Sequence, residues 1–281
     1  MIAIFIGTKA QLIKMAPVMR ELQDRGIDYR FVFSGQHKAT IDDLRKNFGI
    51  KKPNVCLYDG PDITSIRKML VWTLRLLFLG VLKKEFVWGK GYQPGVVLNH
   101  GDTFSTLCGS LMAKLAGHKV AHIESGLRSY NLFHPFPEEL TRRICFHLTD
   151  IFFAPNQWAS NNLQSYRGEV INTELNTLYD SLQAALSKPV SIDIPTEDYA
   201  IISLHRFENL ASQKKFSEII AMIVALGERH RLLFILHQPT EIKLRKYGLY
   251  EQLAENENIE LRPRYDYFDF MALVRNAVFI I

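Results

Sequence analysis

The sequence predicts an α/β protein made of two doubly wound parallel-sheet domains, the second of them incomplete. Three observations predict it. Short apolar runs ending in Gly, Pro or a polar turn alternate with helical patterns through the first half, and the alternation restarts near residue 200 after a stretch without periodicity. The chain has 281 residues, more than a single hydrophobic core usually serves.

In chain order, "IAIFIG" (2–7), "YRFVFSG" (29–35), "GVVLNHGD" (95–102), "KVAHIESG" (119–126) and "DIFFAP" (150–155) read as buried strands, each stopped by a turn residue. Between the first two lies a helix with Leu12, Met15, Ala16, Met19 and Leu22 on its inward face and Gly26 at its end. Pro17 is expected to bend it. The run "MLVWTLRLLFLGVL" (69–82) is nearly all apolar, contains Arg75 and is followed by Lys83 and Lys84. It is shorter than the ~18–20 residues that span a bilayer, so no transmembrane segment is expected. A helix buried between the sheet and its neighbours is the expectation, with a helix seated on a membrane surface as the alternative. A helix near 176–186 leads into "SKPVSIDIPTEDYA", which has no period and reads as a linker. The division expected is an N-terminal domain at 1–172, a linker region at 173–198 and a partial C-terminal domain at 199–281. In the latter, strands at 200–206, 232–237 and 259–263 alternate with helices, the first facing inward through Phe216, Ile219, Ile220, Ile223 and Leu226. The closing "AVFII" is a strand start with no turn or helix after it, hence the expectation of an incomplete second domain.

Composition narrows the function. An apolar fraction of 47% and a charged fraction of 22% belong to a globular protein and exclude disorder and collagen-like repetition. A formal charge of +5 favours an anionic ligand without demanding nucleic acid. Cys56, Cys108 and Cys145 have neither disulfide-framework nor zinc spacing, so no metal or cofactor is expected and a reducing cytoplasm fits. The start "MIAIFIGT" runs from strand into glycine turn without a basic leader, so no signal peptide is expected.

In parallel sheets ligands gather at the carboxyl ends of the strands. Lys9, Gln36, His37, Asp102, Glu124 and Arg128 all follow predicted strands. In "HPFPEELTRR" (134–143) two readings stand. Pro137 and the acids after it satisfy a helix N-terminus by themselves. Alternatively Glu138 joins Asp102 and Glu124 at one cleft, where three carboxylates repel unless cations or chemistry offset them. Lys9, Lys14, Arg128, Arg142 and Arg143 are the available countercharges. Such a mixture suits a sugar carrying phosphate: cations hold the phosphate while carboxylates exchange sugar protons.

The stretches "GTKAQLIKMAPVMREL", "SGQH", "HGDTFSTL", "HIESGLRS", "PFPEELTRRICFHLTD", "FAPNQWASNNL" and "SLHRFEN" resemble, in order and spacing, the UDP-N-acetylglucosamine 2-epimerase family. The resemblance covers essentially the whole chain. It implies two Rossmann-like domains in a GT-B-like arrangement with a UDP-sugar bound between them. It also implies inversion of carbon 2 by elimination of UDP, an enzyme-bound 2-acetamidoglucal and re-addition of UDP. Asp102, Glu124 and Glu138 match the family's acidic catalytic positions, and His205 its histidine from the second domain. Lys14 matches a lysine near the substrate and Phe270 an aromatic near the uracil, although Phe270 serves equally as core. Arg206, next to His205, is placed to meet the diphosphate. Lys9, Gln36, His37, Arg128 and Arg142 complete the substrate-binding candidates, and a homodimer is compatible with the resemblance.

Departures set further expectations. The family's "GTRPE" is "GTKAQ" here, and Lys9 lacks the planar fork of arginine. "ELNTLYD" lacks a usual glycine, and "HRFEN" has Phe207 where a second arginine is usual. The serine/glycine-rich turn that follows "AVFII" in the family is absent, so activity is expected to be impaired. The alternatives are a hydrolysing 2-epimerase that releases free ManNAc and UDP, and an inactive truncated remnant.

Overall fold

The computed structural model describes residues 1–36, 41–61, 63, 66–205 and 207–281. The chain divides into two compact units, Met1–Ser181 and Leu182–Ile281.

Unit 1 runs β1 (Ile2–Ile6), α1 (Lys9–Asp24), β2 (Arg30–Phe33), α2 (Ile41–Asn47), β3 (Val55–Cys56), α3 (Ile66–Leu82), α4 (Lys84–Trp88), β4 (Val96–His100), α5 (Phe104–Leu115), β5 (Lys119–Ile123), α6 (Glu138–Leu148), β6 (Ile151–Ala154), α7 (Gln157–Asn161) and β7 (Glu169–Asn172) into the start of α8 (Thr177–Leu186). Its strands form one sheet in the order β3-β2-β1-β4-β5-β6-β7, every pair parallel. Side chains alternate across a strand. Ala3 and Phe5 therefore join Val97 and Val120 in a core closed by Trp72 and Leu76 of α3, Trp88 of α4 and Met112 of α5. Ile4 and Ile6 point to the other face, where α1 buries Leu12, Met15, Ala16 and Met19 completely. The strand order reverses between β1 and β4, and loops leaving adjacent strands toward opposite faces open a crevice there.

The sequence missed two strands for a physical reason. β3 has two residues, and β7 is an edge strand exposed along its whole length, so neither shows an apolar run. The helix expected to be buried at 69–82 is only half buried: Trp72 and Leu76 face the core, but Leu70, Leu74 and Phe78 face outward.

α1 runs continuously through Pro17. Proline has no N–H for the carbonyl four residues back, which belongs to Ile13. The Ser181 hydroxyl of α8 donates to that carbonyl at 2.5 Å. Ser181 is fully buried, so α8 supplies the donor that the helix interior lacks.

Unit 2 contains β8 (Tyr199–Ile202), α9 (Phe207–Leu210), α10 (Gln213–Gly227), β9 (Arg231–Ile235), α11 (Gln238–Lys246), α12 (Tyr250–Ala254), β10 (Ile259–Arg262) and α13 (Tyr267–Asn276). The parallel sheet has the order β10-β9-β8. Ala200, Ile202, Leu232 and Phe234 face Phe216, Ile220 and Ile223 of α10, while Tyr199, Ile201, Leu233 and Ile235 face Leu273 of α13. The closing "AVFII" lies along β8, bonded through Ile201 N to Phe279 O at 3.0 Å and Ser203 N to Ile281 O at 2.7 Å, with a parallel bridge at Ile201 and Ile280.

Candidate active site

The loop after β1 opens α1 with a capping box. The Thr8 hydroxyl accepts from the Gln11 amide at 3.3 Å, and Gln11 Oε1 accepts from the Thr8 amide at 3.1 Å and the Gly7 amide at 2.9 Å. Gln11 Nε2 then donates across the switch point to the His100 carbonyl at 2.8 Å and Thr106 Oγ1 at 2.9 Å. Gln11 is 2% exposed, and this one amide fastens the β1 and β4 loops together. Gly7 is required at the crossing: a Cβ there would lie 1.8 Å from Ser105 Oγ. The same Ser105 hydroxyl donates to Gln36 Oε1 at 2.7 Å, fixing the loop after β2.

These loops line a cavity of about 590 Å³ whose walls include Thr8, Lys9, Gln36, Asp102, Thr103 and Glu138. Asp102 receives Arg142 Nη2 at 2.5 Å. Arg142 reaches on to Glu139 Oε2 at 3.4 Å, and the fully buried Glu139 also takes the Arg128 Nε proton and the Ser129 amide, the latter at 2.9 Å. Burial works to raise the Glu139 pKa, but the Ser129 amide and the Arg128 guanidinium more than offset it and hold the carboxyl below the usual range. The two adjacent acids therefore differ. Glu139 is spent on the loop between β5 and α6, whereas Glu138 presents a buried Oε2 with no hydrogen-bond partner among the described residues. Pro137 is the N-cap of α6, one position earlier than a proline at the first helical residue.

Glu124 follows β5 in the left-handed region, with φ of 61°. Lys14 Nζ stands 2.6 and 2.8 Å from its two oxygens, the Asn176 side-chain amide donates to Oε2, and His100 Nε2 lies 3.6 Å away. Burial would raise the Glu124 pKa; His100, Lys14 and Asn176 together reverse that, and its value is lowered. Burial drives the His100 imidazole down to about 4 against the pull of Glu124, so His100 is neutral near pH 7 and Lys14 is the lasting countercharge. Glu124 lines a separate apolar cavity of about 160 Å³ with Val18, Leu98, Phe153 and Asn176. His122 joins the two strand ends: its Nε2 is 2.7 Å from the Gly101 carbonyl and its Nδ1 is 2.9 Å from Ser125 Oγ.

In unit 2, His205 follows β8 and stacks on His237 after β9, with ring centroids 4.6 Å apart. It lines a cavity of about 370 Å³ with Ser203, Asn209 and Met222. Phe270 packs against the α13 face of the sheet core. His37 and Arg206 lie outside the described residues. Among the described residues no group of three His, Cys, Asp or Glu side chains stands where a metal ion could be held.

Sequence reasoning missed Gln11 and Asn176. The spacing Thr8-x-x-Gln11 is a capping-box signature and could have singled out Gln11. Nothing local marks Asn176, which meets Glu124 from 52 residues away.

The family model for UDP-N-acetylglucosamine 2-epimerase matches residues 20–281. A UDP-N-acetylglucosamine 2-epimerase of Methanocaldococcus jannaschii is 30% identical over 302 aligned positions, covering 100% of this chain and 77% of the relative. One from Bacillus subtilis is 28% identical, covering 98% of this chain and 71% of the relative. Among solved structures, the Neisseria meningitidis UDP-GlcNAc 2-epimerase bound to UDP-GlcNAc superposes with a TM-score of 0.81 at 30% identity, over 99% of this chain and 76% of that one. The M. jannaschii enzyme in complex with UDP-GlcNAc and UDP gives 0.74 at 26% identity, over 99% and 77%.

Proposed function

The chain belongs to the UDP-N-acetylglucosamine 2-epimerase family, and from that premise we propose that it interconverts UDP-N-acetylglucosamine and UDP-N-acetylmannosamine. The observation that carries the reading is a set of carboxylates, two after the adjacent strands β4 and β5 and one opening α6, each given different company: Asp102 with Arg142, Glu124 with Lys14, and Glu138 with an oxygen that has no partner among the described residues.

In the proposed reaction a base removes the carbon-2 proton. The electron pair left behind forms the carbon 1–carbon 2 double bond, and the bond from carbon 1 to the diphosphate oxygen breaks with its electrons on UDP. Protonation of carbon 2 on the opposite face and return of the UDP oxygen to carbon 1 complete the inversion. Glu138 and Asp102, which line the larger cavity, are the groups we assign to the carbon-2 proton. Glu124, kept ionised by Lys14, offsets positive charge at carbon 1 as UDP departs. Lys9, Gln36 and Arg142 are assigned to substrate at the cavity wall. Arg128 is assigned an indirect role, holding Glu139 and through it the loop. By family resemblance we assign His205 to the same reaction, and His37, Arg206 and Phe270 to substrate binding.

The three free cysteines agree with work in the cytoplasm, and the product would feed enzymes that build polysaccharide from nucleotide sugars. A homodimer belongs to the same reading and is read out by light scattering on the purified protein. The test of function is incubation with UDP-GlcNAc followed by proton NMR of the mixture. UDP-ManNAc is the expected product. Free ManNAc with UDP would make the protein a hydrolysing 2-epimerase, and unchanged substrate at high enzyme concentration would refute turnover by this chain.

A further inference from the structure

Asn176 meets Glu124 through a carboxamide whose two ends are both engaged. Its Oδ1 accepts from the Leu178 amide at 2.9 Å in the first turn of α8, and its Nδ2 donates to Glu124 Oε2. Turned over, the amide would set oxygen against carboxylate and NH2 against N–H, so the chemistry at both ends fixes which way it faces.

The segment that carries Asn176 is pinned on both sides. Before it, the Thr173 amide and hydroxyl both donate to the Ala154 carbonyl at the end of β6, at 2.8 and 3.0 Å, and Glu174 holds a left-handed backbone with φ of 62°. After it, the Ser181 hydroxyl of α8 donates to the carbonyl of Ile13, the neighbour of Lys14 in α1. Lys14 and Asn176, whose side chains both donate to Glu124, are therefore carried by segments bonded to each other. Glu124 itself has φ of 61°, a conformation that a residue other than glycine keeps only where its surroundings hold it.

These bonds make the two oxygens of Glu124 unequal. Oε2 takes Lys14 at 2.6 Å and Asn176, and has His100 Nε2 3.6 Å away. Oε1 takes Lys14 alone among the described residues, at 2.8 Å. The titratable and charged groups facing the carboxylate are Lys14 of α1, His100 at the end of β4 and His122 of β5. His100 Nε2 makes no hydrogen bond among the described residues, and both ring nitrogens of His122 are engaged by the Gly101 carbonyl and Ser125. Asn176 is thus the neutral donor that selects Oε2.

We propose that Asn176 is a positioning residue for the reaction: it holds Oε2 of Glu124 and leaves Oε1 to face the sugar. The inference rests on the role given to Glu124 in the proposed reaction. A carboxylate aimed by fixed donors needs no reorientation as UDP leaves, and a preorganised charge gains its rate advantage in that way.

The experiment is an NMR titration of the side-chain carboxyl carbon of Glu124 in the full chain, the signal assigned by its loss in Glu124→Gln, together with kcat and KM for UDP-GlcNAc across pH. Asn176→Asp keeps the acceptor for the Leu178 amide, since aspartate caps a helix as well as asparagine does, but puts a second carboxylate against Oε2. Glu124 is then expected to titrate at higher pH, and the acid limb of the kcat profile to move with it. At neutral pH kcat is expected to fall about 10- to 100-fold while KM stays within about twofold. Asn176→Ser also caps the helix but is too short to reach Glu124, and is expected to move the titration less, in the same direction. A Glu124 titration unmoved in both variants, with the fold confirmed by circular dichroism, overturns the proposal, as does a moved titration with an unchanged kcat profile. If the parent leaves UDP-GlcNAc unchanged while the titration moves as expected, the proposed reaction fails and the hold of Asn176 on Glu124 stands.

Discussion

Lys14 grips both oxygens of Glu124, at 2.6 and 2.8 Å, from a helix that precedes it by more than a hundred residues. The pair is partly buried, with side-chain exposures of 24% and 11%, and burial, which would raise the Glu124 pKa, is outweighed by His100, Lys14 and Asn176 together. Removing the cation by Lys14→Met should let burial dominate and raise the Glu124 pKa. Turnover is expected to fall by roughly 10- to 1000-fold, with the acid limb of its pH profile displaced to higher pH. An unchanged profile would separate Lys14 from the chemistry.

The two acids that open α6 should part in a stability assay. Glu138→Gln alters a carboxylate with an unpartnered oxygen, so unfolding stability should stay within about 0.5 kcal/mol while turnover drops about 100-fold or more. Glu139→Leu leaves Arg128 and Arg142 without their buried partner and should cost about 3–5 kcal/mol. Thermal denaturation together with the product assay checks both.

Stability should decline on the acid side of neutrality. His100 is depressed to about 4 from 6.5, chiefly by burial, so between those values the unfolded chain binds more protons and folding weakens as pH falls. Burial depresses His122 in the same direction. Glu124 has a lowered pKa, so its contribution is present above the ordinary glutamate value and is lost as pH falls through the folded one. His100→Gln should flatten the dependence between pH 4 and 6.5 by up to about 3 kcal/mol, read from urea unfolding at several pH values.

The hydroxyl of Ser181, which also bonds the Thr177 carbonyl at 3.2 Å, should matter more because Pro17 is a proline. Ser181→Ala strands the Ile13 carbonyl and is expected to cost about 1–2 kcal/mol. In a Pro17→Ala background the new backbone amide can bond that carbonyl, and the same serine change should cost less. Equal losses in both backgrounds would show that Ser181 acts through something else.

Much of this was legible in the sequence. Buried strands such as 2–6 and 119–123 announce themselves because both faces are covered and the residues are mostly apolar, and the polar residues after them mark the strand ends where a parallel sheet opens. Glu138 could be singled out from Glu139 only through resemblance, since helix-end chemistry accommodates both. The structure supplies the physical difference, one acid tied to two arginines and the other left open. β7 escaped because an exposed edge strand has no apolar pattern, and Asn176 because its partner is distant in the chain. The outer face of α3 was the main surprise: a run of apolar residues cannot reveal from composition alone which side of it meets the core.

The most direct test is the reaction of UDP-GlcNAc in deuterium oxide, followed by NMR at carbon 2 of the sugar. If Asp102 and Glu138 break and remake that bond to hydrogen, UDP-ManNAc should appear carrying deuterium there, and Glu138→Gln should abolish both the exchange and the product. Epimer formed with its original hydrogen retained, or exchange undiminished in the Glu138 variant, would contradict the account.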